Sequence, residues 1–262
     1  MAATNRYHAL LEKVFFDRYR AGKTELSWAR RDFEHAAVAL GVALPKNLGD
    51  VIYSIRYRSP MPQSILATQP TGMEWVIAGA GRALYAFRLV RINRILPRTD
   101  MITIKIPDAT PQIIQASAIT DEQALLAKVR YNRLIDLFLG LVAYSLQNHL
   151  RTTVKGIGQI EIDEIYVGVD RFGRQFIIPV QAKGGNDQLS VIQTEQDILC
   201  CAQKYPNLIV RAISAQFIGP DRIALFELTL DDGAVKLVEE RHYRLLPSGE
   251  ITPQDLKSYS AR

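Results

Sequence analysis

Hydrophobic residues first recur at helical spacing between Tyr7 and Tyr19, where Leu10, Leu11, Val14 and Phe15 predict one buried helix face. A second stripe of Leu26, Ala29, Phe33, Ala36, Ala37 and Leu40 predicts a helix over Glu25 to Leu40, capped by Thr24 and ended by Gly41. A third, shorter helix opens at Pro45 to Asp50 and runs through Tyr57, where Pro60 and Pro62 forbid its continuation. β-rich runs follow at Glu74 to Ile77 and Ala83 to Val90, around a turn of Ala78, Gly79, Ala80, Gly81 and Arg82 that tolerates positive φ.

The order of three helices and a hairpin is that of a winged-helix domain. Pro97 through Pro111 is a proline-punctuated connection holding a short β-like run, Met101 to Ile106, and the domain boundary is expected there, giving domains 1–110 and 111–262. Thr120 and Gln123 form a capping-box pattern ahead of a helix with Leu125, Leu126, Val129, Ile135 and Phe138 inward. From Gly158 the pattern turns to strands: Gln159 to Asp170, a turn at Arg171 to Arg174, then Gln175 to Lys183. A helix through Leu189 to Lys204 follows, then strands at Leu208 to Ile218, Arg222 to Leu230 and Ala234 to Glu239. The second half therefore reads as a mixed β-sheet flanked by helices, and the chain as α/β.

A hydrophobic content of 48% over 262 residues suffices for one large core or two smaller ones. Lys and Arg exceed Asp and Glu by 32 to 27, a modest positive balance compatible with a polyanionic partner. Cys200 and Cys201 are neighbours and cannot staple distant segments, which suits a reducing compartment. No stretch reaches about 18 charge-free apolar residues and the first residues lack a signal-peptide pattern, so a cytoplasmic protein without a membrane partner is expected.

The chemistry concentrates in Glu161, Ile162, Asp163, Glu164 and, after the hairpin turn, Val180, Gln181, Ala182, Lys183. A four-residue turn sets Glu164 opposite Gln181 and Ile162 opposite Lys183; a loop of odd length opposes Asp163 to Gln181 instead. Gln181 and Lys183, two residues apart, share one face in either register, with an acid within cross-strand reach. The apolar run Phe176, Ile177, Ile178, Pro179 ahead of them places this polar terminus at a buried strand end. Oxygen ligands for Mg²⁺ beside a cation are what phosphodiester hydrolysis requires.

An acid in one strand and an x-x-lysine signature at the end of the next resemble the PD-(D/E)xK nuclease superfamily, over roughly Asp121 to Leu230. Gln181 stands where that family usually carries Asp or Glu, and no Pro-Asp pair precedes the hairpin; Pro107 and Asp108 lie far upstream. The resemblance implies a Mg²⁺-dependent, sequence-specific endonuclease of the type II restriction kind. Its catalytic residues are Asp163, Gln181, Lys183 and Glu164; the metal falls to Asp163, Glu164 and the carbonyl of Gln181, with Glu161 a further alternate. A polar residue from the preceding helix often joins in this superfamily, here Gln147, Asn148 or His149. Arg56 and Arg58 on the third helix, Arg82 at the wing tip and Arg151 are the expected contacts to duplex DNA. Cutting both strands requires a homodimer or sequential nicking. The competing expectation is a DNA-binding regulator with an inactive nuclease-like domain. Gln193, Gln196 and Asp197 are expected on a solvated helix face, with contact to the substrate strand as the alternative and no role assigned.

Overall fold

The computed structural model describes residues 6–57, 59–91, 95–117, 122–184, 191–219, 221–231 and 233–260, apart from the side chains at 53, 56 and 57. Helices and sheets are both present, so the chain is α/β, and it divides into two compact units. One comprises residues 1–92 with 152–160, the other residues 93–151 with 161–262. Among the described residues no helix is long and apolar enough to cross a membrane.

The first unit runs α1 (Arg6–Phe16), β1 (Glu25–Ala29), α2 (Asp32–Leu40), α3 (Leu48–Tyr57), α4 (Gln63–Leu66), β2 (Met73–Gly81) and β3 (Leu84–Arg91). Its three strands pair antiparallel in the order β1-β3-β2. Leu10, Leu11, Val14 and Phe15 of α1 are buried as their spacing predicts, and Phe15 sets its ring edge-on to Trp75 and Phe87. The single helix expected over Glu25 to Leu40 is instead a strand followed by a helix. Leu26 and Trp28 point inward at a period of two, whereas Leu26, Ala29 and Phe33 also fit a helical stripe, and pairing with β3 selects the strand. Asp32 marks the junction: its carboxylate accepts the Ala29 N–H at 2.8 Å and the Arg18 guanidinium at 2.6 Å. Gly41 ends α2 in the left-handed region with φ of 64°, the role its position suggests.

The second unit contains β4 (Thr103–Pro107), α5 (Gln112–Ser117), α6 (Glu122–Tyr131), α7 (Leu134–Leu139), and β5 (Val142–Val154) and β6 (Gly158–Val169) except for their residues 152–154 and 158–160. There follow β7 (Gln175–Lys183), α8 (Val191–Lys204), β8 (Ile209–Val210), β9 (Ala212–Ile218), β10 (Arg222–Asp231), β11 (Ala234–Leu246) and α9 (Pro253–Ser260). The sheet runs β4-β11-β10-β9-β7-β6-β5, with β8 paired to β7. It is mixed: β7 lies parallel to β9 and β4 parallel to β11, and the pairs β6–β7, β9–β10 and β10–β11 are antiparallel. The proline-punctuated segment in which the sequence sets the boundary thus supplies β4 to this sheet.

The helix expected from Thr120 onward is two helices, because Arg133 takes φ of 50° and reverses the chain between α6 and α7; Thr120 itself lies outside the described residues. Both helices pack on one sheet face against Ile178, Val180, Ala182, Ile213 and Ala215. Helix α8 covers the other, where Val191 and Ile198 meet Ala212, Ala224, Phe226 and Leu228. Every side chain near the polar end of β6 and β7 is therefore assigned to one helix layer or the other by strand alternation.

Candidate functional site

Val169 faces Gln175 across residues 170–174, a loop of odd length, and the ladder continues to Glu164 opposite Val180. One step further along the same register sets Asp163 opposite Gln181, the second of the two pairings that the sequence leaves open. Asp170 fixes the loop length, since its Oδ1 accepts the backbone N–H groups of Phe172 and Arg174 at 2.9 and 3.0 Å. Lys183, two residues on from Gln181, shares its face.

Asp163 is mostly withdrawn from solvent, and its Oδ2 accepts the Ala182 N–H at 2.9 Å. Burial raises its pKa above the ordinary carboxylate value, against the opposing pull of that N–H and of the Lys183 ammonium. Lys183 Nζ lies 3.0 Å from Oε1 of Glu122, the first residue of α6. Gln181 is 2% exposed and tied on both ends of its amide. Its Nε2 donates to Gln193 Oε1 at 2.7 Å, while its Oε1 accepts the hydroxyls of Thr194 at 3.1 Å and Ser214 at 3.3 Å. Both acceptor positions of that oxygen are engaged, so Gln181 joins β7 to α8 and β9 and presents no free carbonyl to a metal, in contrast to the expectation from sequence.

Glu164, expected as an alternate metal ligand beside Asp163, lies on the opposite face. The pleat turns it toward α6, where it is fully buried, paired with Arg130 Nε at 2.9 Å and accepting the Ser145 hydroxyl at 2.6 Å. Glu161 shares Asp163's face but stands near the surface, 3.1 Å from Arg151 Nε and 3.5 Å from His149 Nδ1. Gln147, Asn148 and His149 lie on strand β5 and not on a helix; His149 adopts φ of 48° and meets Gln123 at 3.1 Å. Arg151 is exposed on the same strand, and Arg82 is exposed in the β2–β3 turn. Arg58 and the side chain of Arg56 lie outside the described residues.

Helix α8 corrects a further expectation. Gln193, Gln196 and Asp197 do not face solvent: they are 8%, 8% and 2% exposed and form the buried face with Thr194, Cys200 and Cys201. The signal was available, because Gln193, Asp197 and Cys201 follow one another at four-residue intervals on one helix stripe. Asp197 is pushed well above the ordinary carboxylate range by burial, and the Asp163 charge adds to that rise while Lys183 opposes it. Its Oδ1 is buried without a hydrogen-bond partner.

Asp163, Lys183, Glu122 and Asp197 thus gather at one strand end; sequence assigns chemistry to the first and second, a solvated face to Asp197 and nothing to Glu122. Among the described residues no three His, Cys, Asp or Glu side chains are close enough to enclose a metal ion. Mg²⁺ does not demand such a cage, since it keeps several waters and takes one or two carboxylates. An all-oxygen acidic set with an orphaned buried carboxylate oxygen fits that ion. Comparison with known protein families, with curated proteins and with solved structures finds no match.

Proposed function

We propose that the chain is a Mg²⁺-dependent endodeoxyribonuclease of the PD-(D/E)xK kind, with residues 1–92 forming a winged-helix-like module that positions duplex DNA. The observation that carries this reading is the pairing of Asp163 with the Gln181, Ala182, Lys183 terminus on one face of the β6–β7 hairpin. Support also comes from chain order: the β5-β6-β7 run with β6 and β7 antiparallel, then helix α8, then β9 beside and parallel to β7, with α6 and α8 on opposite sheet faces. In the first unit, the succession α1-β1-α2-α3-α4-β2-β3, with β1 joined to β3 and α4 a single turn, supports the winged-helix reading, and exposed Arg82 sits at the turn that would be the wing.

Asp163 would hold the cation, which when bound would polarise the phosphodiester and make its water more acidic, while Glu122 pairs with Lys183 beside it. Lys183 brings an ammonium to that place, to orient the attacking water and to offset the negative charge that gathers at phosphorus. Gln181 holds the end of β7 in place through Thr194, Ser214 and Gln193, which keeps Lys183 and Asp163 in register. One site per chain cuts one strand at a time, so a homodimer is proposed for double-strand cleavage. Restriction of foreign DNA is the proposed setting.

The second reading, a DNA-binding regulator, is favoured by the amide at position 181, which brings no negative charge to a cation. Wild type and Lys183→Ala incubated with plasmid and phage DNA, in Mg²⁺ or in EDTA, separate the two. Cleavage by wild type that needs Mg²⁺ and falls about a hundredfold or more in Lys183→Ala is expected. DNA binding with no cleavage at all would give the regulator reading precedence.

A further inference from the structure

The first polar turns of α8 lie against the strand end that carries Asp163 and Lys183. Gln193 and Thr194 hold Gln181 there, and one turn on comes Asp197, 2% exposed, with Oδ1 buried and unpartnered. Burying a carboxylate oxygen without a donor costs several kcal/mol, roughly, and native interiors seldom leave one so. The neighbours do not relieve it: the charges it feels are the carboxylate of Asp163, which repels it, and the ammonium of Lys183. Lys183 is already 3.0 Å from Glu122. Glu164 and Glu240 also leave one oxygen unpartnered, but each has a cation or imidazole on the other, Arg130 at 2.9 Å and His242 at 2.7 Å.

We infer that Asp197 is a second carboxylate of the cation site, so that one hard divalent ion is held jointly by Asp163 of β6 and Asp197 of α8. The inference rests on the nuclease reading for the ion's role but not for its detection. The ion class follows from the donors: carboxylate oxygens with no thiolate or imidazole select Mg²⁺ or Mn²⁺ over Zn²⁺ or Cu²⁺. Binding from two layers also couples the ion to the packing of α8 on the sheet, so loading should stabilise the fold.

Mn²⁺ titrated calorimetrically into the full chain without DNA provides the test, alongside melting in Mn²⁺ and in EDTA. Wild type should bind and melt higher in Mn²⁺. Asp197→Asn should lose tenfold or more in Mn²⁺ affinity and its Mn²⁺-induced rise in Tm, while melting in EDTA no lower than wild type. A variant-free measurement guards against misfolding: Fe²⁺ with ascorbate and peroxide should cut the wild-type backbone near both Asp163 and Asp197. Unchanged Mn²⁺ affinity in Asp197→Asn, no binding by wild type, or cuts near Asp163 alone would each overturn the inference. Loss of binding in Asp197→Asn by a chain that cleaves no DNA supports the inference and removes the nuclease reading. Cleavage by a chain in which Asp197→Asn binds normally does the reverse.

Discussion

The pleat of β6 sends Asp163 and Glu164 to opposite faces of one sheet, and the consequences differ for each carboxylate. Glu164 is fully buried and depends on Arg130 for its charge balance. Removing one partner of a buried pair leaves an uncompensated charge; because Arg130 is itself about one-third exposed, we expect Arg130→Ala to cost about 2 kcal/mol, below the full buried-pair figure. Urea unfolding reads this directly, and a loss under about 0.5 kcal/mol would show that Ser145 alone suffices for Glu164. Asp197 gives a pH prediction. Its folded pKa is raised above the ordinary value of 3.8, so its contribution to stability is whole below that value and is lost as pH rises through the folded value. In EDTA, wild type should therefore fall in stability relative to Asp197→Asn over that rise, and a difference that stays constant with pH would refute it. What sequence discloses at this scale is residue type: spacing brings an acid near Gln181 and Lys183, and the resemblance to the nuclease superfamily singles out Asp163. It leaves the register open because one residue in loop length exchanges Asp163 for Glu164, and the carboxylate that sets the loop, Asp170, looks like any turn residue.

At the scale of elements, legibility follows how much of a segment is buried in a regular pattern. Helices α1 and α3 and strands β6, β7 and β10 announce themselves by periodicity, whereas β5 does not. It is the edge strand, with Val142, Tyr144 and Leu146 exposed and only Ala143 and Val154 buried, so alternation of apolar residues marks no core face. Strand β1 is hidden differently, since Leu26, Ala29 and Phe33 satisfy a helical period until β3 pairs with the first two. Helix α9 has no buried residues, and local hydrogen bonding defines it instead. Thr252 N–H donates to Asp255 Oδ2 at 2.9 Å and Asp255 N–H to the Thr252 hydroxyl at 3.2 Å, a reciprocal cap with Pro253 at the first helical position. Lys105 of β4 donates to both oxygens of Asp255 and holds its pKa down at about 2, with the cap N–H adding to the effect. A depressed acid stabilises above its unfolded value of 3.8 and loses that contribution as pH falls through about 2. Thr252→Ala should cost α9 about 1 kcal/mol, seen as faster amide exchange in residues 255–259 with exchange in β10 unchanged. Equal protection in variant and wild type would mean that the Lys105 contact alone anchors the helix.

Across the whole molecule, Arg82, proposed to hold DNA, falls in a different unit from the residues proposed to cut it, whereas Arg151 shares the unit of the cutting residues. Arg82 belongs to residues 1–92, while Asp163, Lys183 and Asp197 belong to the other unit. The net charge of +5 is too small for nonspecific attraction to dominate, so individual cations placed on phosphates should be visible in the salt dependence of binding. Each phosphate neutralised contributes a slope of about 0.9 in the logarithm of affinity against the logarithm of salt. Arg82→Ala should therefore flatten that slope by about 0.9 for duplexes of any sequence, measured by fluorescence anisotropy in EDTA so that no cleavage intervenes. Lys183→Ala, which touches the chemistry, should change the cleavage rate at saturating DNA far more than it changes the slope. A slope unaltered in Arg82→Ala would take that turn out of the interface. A slope altered equally by both substitutions would mean that one surface both binds and cuts, and the assignment of DNA positioning to the first unit would fall.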